Sequence, residues 1–175
     1  TLFRSINGLA VDLVAPPGTP SPADFEFRIG NQSETDTWSS APTPAAFRVM
    51  PDQGPAGVVR VFFTWPDKAI AGQWLEVTVR ATERTGLREA DVFYFGNAIG
   101  ETGNSDERAY VNATDEIAAR QNPRDFRSLA GIENVHDFNR DRRVNATDQI
   151  LVRDNATDFA NALRLITPET GDDPP

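Results

Sequence analysis

The sequence predicts a mixed fold, mainly β and then α: a β-sandwich domain followed by a small all-α module with two loop–helix repeats. Three observations favour it. Apolar and polar residues alternate with period 2 in the first half. The segment Val-Asn-Ala-Thr-Asp occurs at 111–115 and again at 144–148. Oxygen-bearing side chains recur at alternate positions before the second copy. We therefore expect a first domain over residues 1–95, a second module over 96–167 and a disordered tail over 168–175.

Six segments predict the strands of the first domain. In residues 25–29 and 59–65 every second residue is apolar, so that one face of each strand can be buried and the other solvated. Nine of the thirteen prolines precede residue 67 and lie mostly between these segments, as turns between short strands require. The six predicted strands lie at residues 9–13, 25–29, 47–50, 59–65, 75–81 and 91–95.

Three helices are predicted in the second module. Asn112 and Asn145 are suitable N-caps, because each is followed three residues later by an aspartate and then by a short apolar face. A linking helix between these two is predicted from a start signal, an apolar face and a stop, which are Asn122-Pro123, then Phe126, Leu129 and Ala130, then Gly131.

The composition excludes several classes of function. The net charge of -9 offers no basic surface to nucleic acid, so we expect no nucleic-acid partner. The absence of cysteine excludes disulfides, thiol catalysis and zinc–thiolate sites. No apolar run approaches the roughly 20 residues of a membrane-spanning helix. The chain starts at Thr1 without a signal peptide, and we expect it to be a fragment of a longer, secreted bacterial protein.

The segment 137–148 has the spacing of a calcium loop. Calcium binds six to eight oxygen ligands, which a twelve-residue loop supplies from positions 1, 3, 5, 7, 9 and 12. Here those positions are filled by Asp137, Asn139, Asp141, the carbonyl of Arg143, Asn145 and Asp148. Position 6, which normally needs a glycine in the left-handed conformation, is Arg142, at a cost of about 1–2 kcal/mol. Val144 at position 8 is expected to pair with Val111 of the other loop.

The first copy predicts a second, less regular calcium site. Counting back from Asp115 places Asn112, Tyr110, Asp106 and Asn104 at ligand positions. Position 5 is Arg108, which cannot bind a cation. Either this site is degenerate, or the loop contains an insertion and takes a ligand from the preceding segment, where Asn97 and Glu101 are the candidates.

With these motifs, residues 97–166 resemble a type I dockerin, a module of two EF-hand-like calcium units joined by a linking helix. The resemblance implies protein–protein assembly with a cohesin-type domain of an extracellular, polysaccharide-degrading (cellulosome-like) or surface protein. It also implies that the partner contacts the residue pairs Ala113-Thr114, Arg120-Gln121, Ala146-Thr147 and Arg153-Asp154. Arg142 and Arg108 depart from the dockerin pattern.

Two other functions remain open from the sequence. Calcium can rigidify the tail of a large surface protein that has no cohesin partner and contacts only its own neighbouring domains. Alternatively the sandwich binds carbohydrate through aromatic rings. Trp65 is in phase with the core residues of its strand, Trp74 is in phase with polar residues and is exposed or covers the second module, and Trp38 lies in a polar loop.

Catalysis is not expected. No nucleophile motif, phosphate loop or histidine-rich metal site occurs in the sequence. The single histidine, His136, directly precedes the calcium loop and is interpreted as its first flanking residue.

Overall fold

The computed structural model describes residues 5–51, 57–103 and 107–167, and within them the chain forms β-sheets first and two short helices afterwards. The predicted ligands Asn104 and Asp106 and the predicted tail at 168–175 lie outside the described residues. None of the helices in these ranges is long and apolar enough to cross a membrane.

Seven strands make two antiparallel sheets in the first part of the chain. Each of the six predicted segments forms a strand, whereas the two-residue β3 is too short to show a period. The strands are β1 (Gly8–Val14), β2 (Phe25–Gly30), β3 (Ser39–Ser40), β4 (Ala46–Pro51), β5 (Val58–Thr64), β6 (Trp74–Val79) and β7 (Asp91–Gly96). One sheet has the order β1-β5-β4 and the other β3-β2-β6-β7.

A single core connects the two sheets. The residues at alternate positions of β1, β5 and β6 are buried because the period of a strand sends them to one face. Phe63 of β5 contacts Phe25 and Phe27 of β2, each with ring centroids 4.8 Å apart, so the aromatic contacts cross from one sheet to the other. Burial of such a side chain stabilises the fold by about 1.5–3 kcal/mol.

The second part contains helices α1 (Ala113–Gln121) and α2 (Ala146–Asp154) and a small sheet of β8 (Arg108–Ala109) and β9 (Leu163–Arg164). It is therefore not all-α, and the predicted linking helix is wrong. Arg124 pairs with Val144 through both its N–H and its C=O, and the Ala130 N–H donates to the Arg142 carbonyl at 2.8 Å. Because these backbone groups bond to a distant segment, they cannot form the i to i−4 ladder of a helix.

The C-terminal strand touches both parts of the chain. The Asn31 amide, directly after β2, donates to the Ala162 carbonyl (3.1 Å) and accepts from the Arg164 N–H (2.7 Å). The Trp74 indole of β6 donates to the Arg164 carbonyl at 2.7 Å. Of the two alternatives predicted for Trp74, exposure or contact with the later part of the chain, the structure shows the contact.

Candidate metal centre

The two copies of Val-Asn-Ala-Thr-Asp begin the two helices in the same way. In each copy the asparagine side chain accepts from the backbone N–H two residues on, and the aspartate accepts from the N–H of that asparagine, which is a reciprocal cap. The distances are the same in both copies. The threonine N–H lies 2.7 Å from the asparagine Oδ1, in Thr114–Asn112 and in Thr147–Asn145. The asparagine N–H lies 2.9 Å from the aspartate Oδ2, in Asn112–Asp115 and in Asn145–Asp148.

The second oxygen of each aspartate bonds to the start of its loop. Asp148 is completely buried, and its Oδ1 accepts from the Phe138 N–H at 2.9 Å. Burial raises the pKa of the Asp148 carboxyl, against the lowering effect of its backbone donors, and the charge of Asp137 raises this pKa further. A carboxylate in this position gains from any cation that enters the loop.

Asp137 and Asn139 organise the first half of the second loop. Both are buried, at 2% and 6% exposure. Asp137 accepts from the N–H groups of Asp141 (3.1 Å) and Arg142 (2.9 Å), and Asn139 Oδ1 accepts from Asp141 N at 3.0 Å. Asp141 is exposed and accepts from the Arg143 N–H at 2.8 Å. These bonds curl the backbone around the oxygen-bearing side chains.

The side chains of this loop offer the oxygen donors that a hard cation binds. However, its acidic side chains are not grouped as closely as in a closed metal site. In the part of the chain that the structure describes, no three or more Asp, Glu, His or Cys side chains form a group that could hold a metal ion. None of the described ion pairs involves Asp137 or Asp148, although both carboxylates are buried. The buried oxygen donors of this loop are the Asp137 and Asp148 carboxylates and the Asn139 amide oxygen, which are of the type that calcium binds.

The backbone at position 6 has the predicted left-handed conformation. Arg142 has a φ of 68°, and its N–H bonds to buried Asp137. Arg140 also has a positive φ, 57°, which the spacing did not predict. Each such residue costs about 1–2 kcal/mol, which the hydrogen bonds of the loop offset.

The predicted pairing of Val144 with Val111 is wrong. Val144 exchanges two backbone hydrogen bonds with Arg124 (3.1 and 3.0 Å), and Val111 bonds to Thr157 through its carbonyl (2.9 Å) and its N–H (2.8 Å). Arg124 lies three residues after α1, and Thr157 lies three residues after α2. Each loop is therefore bonded to the segment that follows the helix of the other unit.

The first loop matches the second only if its start is moved. Asp115 is completely buried, and its Oδ1 accepts from the N–H (3.0 Å) and the hydroxyl (2.7 Å) of Thr102. Thr102 thus bonds to Asp115 as Phe138 bonds to Asp148, and Glu101 precedes Thr102 in the sequence as Asp137 precedes Phe138. The predictions missed Thr102, and its only signal is that it follows an acidic residue.

The other residues predicted for the first site have different neighbours. Arg108 packs its guanidinium 4.1 Å from the centre of the Phe159 ring and donates to the Phe159 carbonyl at 3.0 Å. Asn97 accepts from the Gly72 N–H of the first domain at 3.1 Å. The Tyr110 carbonyl lies 3.5 Å from the Asn112 amide nitrogen.

The tryptophans lie mainly in the interior. Trp65 is 4% exposed, as predicted for a core residue. Trp38, although it lies in a loop, is 5% exposed, covers Gly30 and donates from its indole to the Gln32 carbonyl at 3.0 Å. These two indoles offer no flat surface to a sugar ring.

Comparison of the chain with protein-family models, with curated proteins and with solved structures finds no match.

Proposed function

We propose that this chain is a β-sandwich domain followed by a dockerin-like, calcium-binding module, which attaches a secreted, non-catalytic region to a cohesin-type partner outside the cell. The observation that carries this proposal is the repeated arrangement of Asp115 and Asp148. Each is fully buried in the first turn of a helix and bonds back to the start of its own loop. Two copies of one costly arrangement favour a common ligand over chance.

For the second site we propose Asp137, Asn139, Asp148 and the Arg143 carbonyl as ligands, with Asp141 completing the set when calcium enters. Asn145 is not included among these ligands, because its side-chain oxygen already caps α2. The ion would supply positive charge between buried carboxylates, so its binding free energy would add to the free energy of folding.

For the first site we propose that the loop contains an insertion and begins at Glu101. From Glu101 to Asp115 the loop has three residues more than the segment from Asp137 to Asp148. The equivalent bonds of Thr102 and Phe138 to the two helix aspartates support this alignment. The degenerate alternative predicts a single calcium ion per chain.

Calcium titration calorimetry with and without EGTA tests the metal. We expect saturable binding, a lower melting temperature after chelation, and loss of the second site in Asp148→Asn. Asp158→Asn is the matched control, because Asp158 lies outside both loops. An unchanged melting temperature in EGTA together with no heat of binding would contradict the calcium function.

A structural role is the second candidate. It is favoured by the bonds of Asn31 and Trp74 to the C-terminal strand, which fasten the module to the first domain. Binding to immobilised cohesin domains in calcium separates the two functions: a chain that binds calcium but no member of a broad cohesin panel has the structural role. The buried tryptophans give no support to the carbohydrate alternative.

A further inference from the structure

The segment between the two helices exposes four large apolar side chains within ten residues. Phe126 is 70% exposed, Leu129 44%, Ile132 89% and Val135 54%. Single exposed apolar residues are ordinary on protein surfaces, whereas several in one short segment favour a binding surface. This segment occupies the place where the sequence predicted a helix.

The exposed segment is held in a defined shape beside the second loop. The Arg140 guanidinium donates to the carbonyls of Ile132 (3.0 Å) and Asn134 (2.7 Å), and the Ala130 N–H bonds to the Arg142 carbonyl. A cavity of about 580 Å³ lies there, lined by Gly131, Ile132, Asp137, Arg140 and Arg142. These hydrogen bonds hold the backbone at Ile132 and Arg142 in place, which lowers the entropic cost of binding.

The segment that contains this cavity carries a charge opposite in sign to that of the whole chain. Residues 124–143 carry five arginines and four acidic residues, a net charge of +1, in a chain of net charge -9. One of the four acids, Asp137, is buried. In the described residues, Arg127, Arg142 and Arg143 form no ion pair, so their guanidinium groups are available to carboxylates.

We propose that this arginine-rimmed surface, residues 124–135 with 140–143, binds an acidic protein segment that also carries apolar side chains. The guanidinium groups recognise its carboxylates, and the cavity beside Ile132 receives an apolar side chain. The surface goes beyond the attachment function above, because it uses neither helix.

Fluorescence anisotropy in calcium-containing buffer tests the proposal with a labelled peptide of alternating Asp and Leu. Matched probes are alternating Asp–Ser and Lys–Leu peptides and phosphatidylserine vesicles. The variants are Ile132→Ser and Arg142→Asn. The controls are Val14→Ser, which removes a side chain that is 79% exposed on β1, and Arg48→Gln, which removes an exposed arginine of β4.

We expect the Asp–Leu peptide to bind, and each of the two surface variants to weaken its binding about tenfold while the controls leave it unchanged. We also expect binding to weaken with salt. Equal loss in Val14→Ser, equal binding of the Asp–Ser peptide, or binding only to the vesicles would overturn the proposal. Circular dichroism of each variant establishes that a loss of binding is not a loss of fold.

Discussion

At the scale of single residues, the second loop combines bent backbone with buried charge. Arg142 adopts a conformation that suits glycine, and its N–H donates to a carboxylate that is itself buried. The spacing of the ligand positions predicted this conformation, because a chain that turns around an ion must change direction at position 6. It could not predict the same conformation at Arg140.

Arg142→Gly is expected to raise the free energy of unfolding by up to about 1 kcal/mol, because glycine relieves the left-handed strain at the cost of greater freedom in the unfolded chain. Urea unfolding in EGTA measures the change. Arg143→Gly is the control: it lies in the same loop, is not among the residues with positive φ, and is expected to lower stability. A loss of stability in Arg142→Gly would contradict the strain at this position.

The position of Glu101 makes a separate prediction about calcium stoichiometry. If the first loop starts at Glu101, then Glu101→Gln weakens one of two calcium sites, since an amide replaces a charged ligand. Calorimetry of Asn97→Ala serves as the comparison, because the Asn97 side chain bonds to Gly72. If both variants change calcium binding equally, or if the unmodified protein binds only one calcium ion, the proposed insertion in the first loop is wrong.

At the scale of elements, one carboxylate of α1 forms an ion pair with α2. Glu116 of α1 accepts from Arg153 of α2 at 2.8 Å and also pairs with Arg120 of its own helix. The Arg153 guanidinium, more than Arg120, lowers the pKa of Glu116 to about 2, against the opposing effect of burial. Protonation of this group would therefore weaken the ion pair between the two helices.

The pH dependence of this contact follows from the lowered pKa. The stabilisation by Glu116 is present in full above its ordinary pKa of 4.5 and is lost as the pH falls towards about 2. We expect the difference in melting temperature between the parent and Glu116→Gln to be constant above pH 4.5 and to shrink below it. Glu89→Gln, at an exposed position outside the helices, is expected to show no such dependence. If the difference in melting temperature persists at about pH 2, the effect of Glu116→Gln comes from packing and not from the ion pairs.

The elements show where sequence reasoning succeeds. The strands were predictable because period-2 alternation is a local property, and one core buries the predicted face. The helix caps were predictable because they use residues three apart. The linking helix was not, because the partner of Arg124 is Val144, twenty residues away, and no local pattern reports it. On the proposed alignment, the start of the first loop could not be predicted because three additional residues break the ligand spacing.

At the scale of the whole molecule, the C-terminal strand joins the first domain to the helices. Asn31 bonds to two backbone groups that lie 131 and 133 residues further along the chain. Non-local bonds of this kind make the unfolding of one part depend on the other. Unfolding of the whole chain is therefore expected to be a single transition.

Asn31→Ala is expected to lower the free energy of unfolding by about 1–3 kcal/mol, since it leaves the Ala162 carbonyl and the Arg164 N–H without their partner. Urea unfolding followed by tryptophan fluorescence and by circular dichroism measures it, and the two signals are expected to separate. The control Gln32→Ala changes the neighbouring exposed side chain, which accepts a 3.3 Å hydrogen bond from the Asn31 N–H. Coincident transitions with unchanged stability would show that the contact does not couple the two parts.

The exchange of Val144 with Arg124 and of Val111 with Thr157 has a consequence for the origin of the repeat. A single unit would leave two sets of backbone groups without hydrogen-bond partners: those of its valine and those of the segment after its helix. It could form both sets of hydrogen bonds by associating with an identical chain. Tandem duplication would then convert an ancestral homodimer into a monomer in which the two halves could diverge.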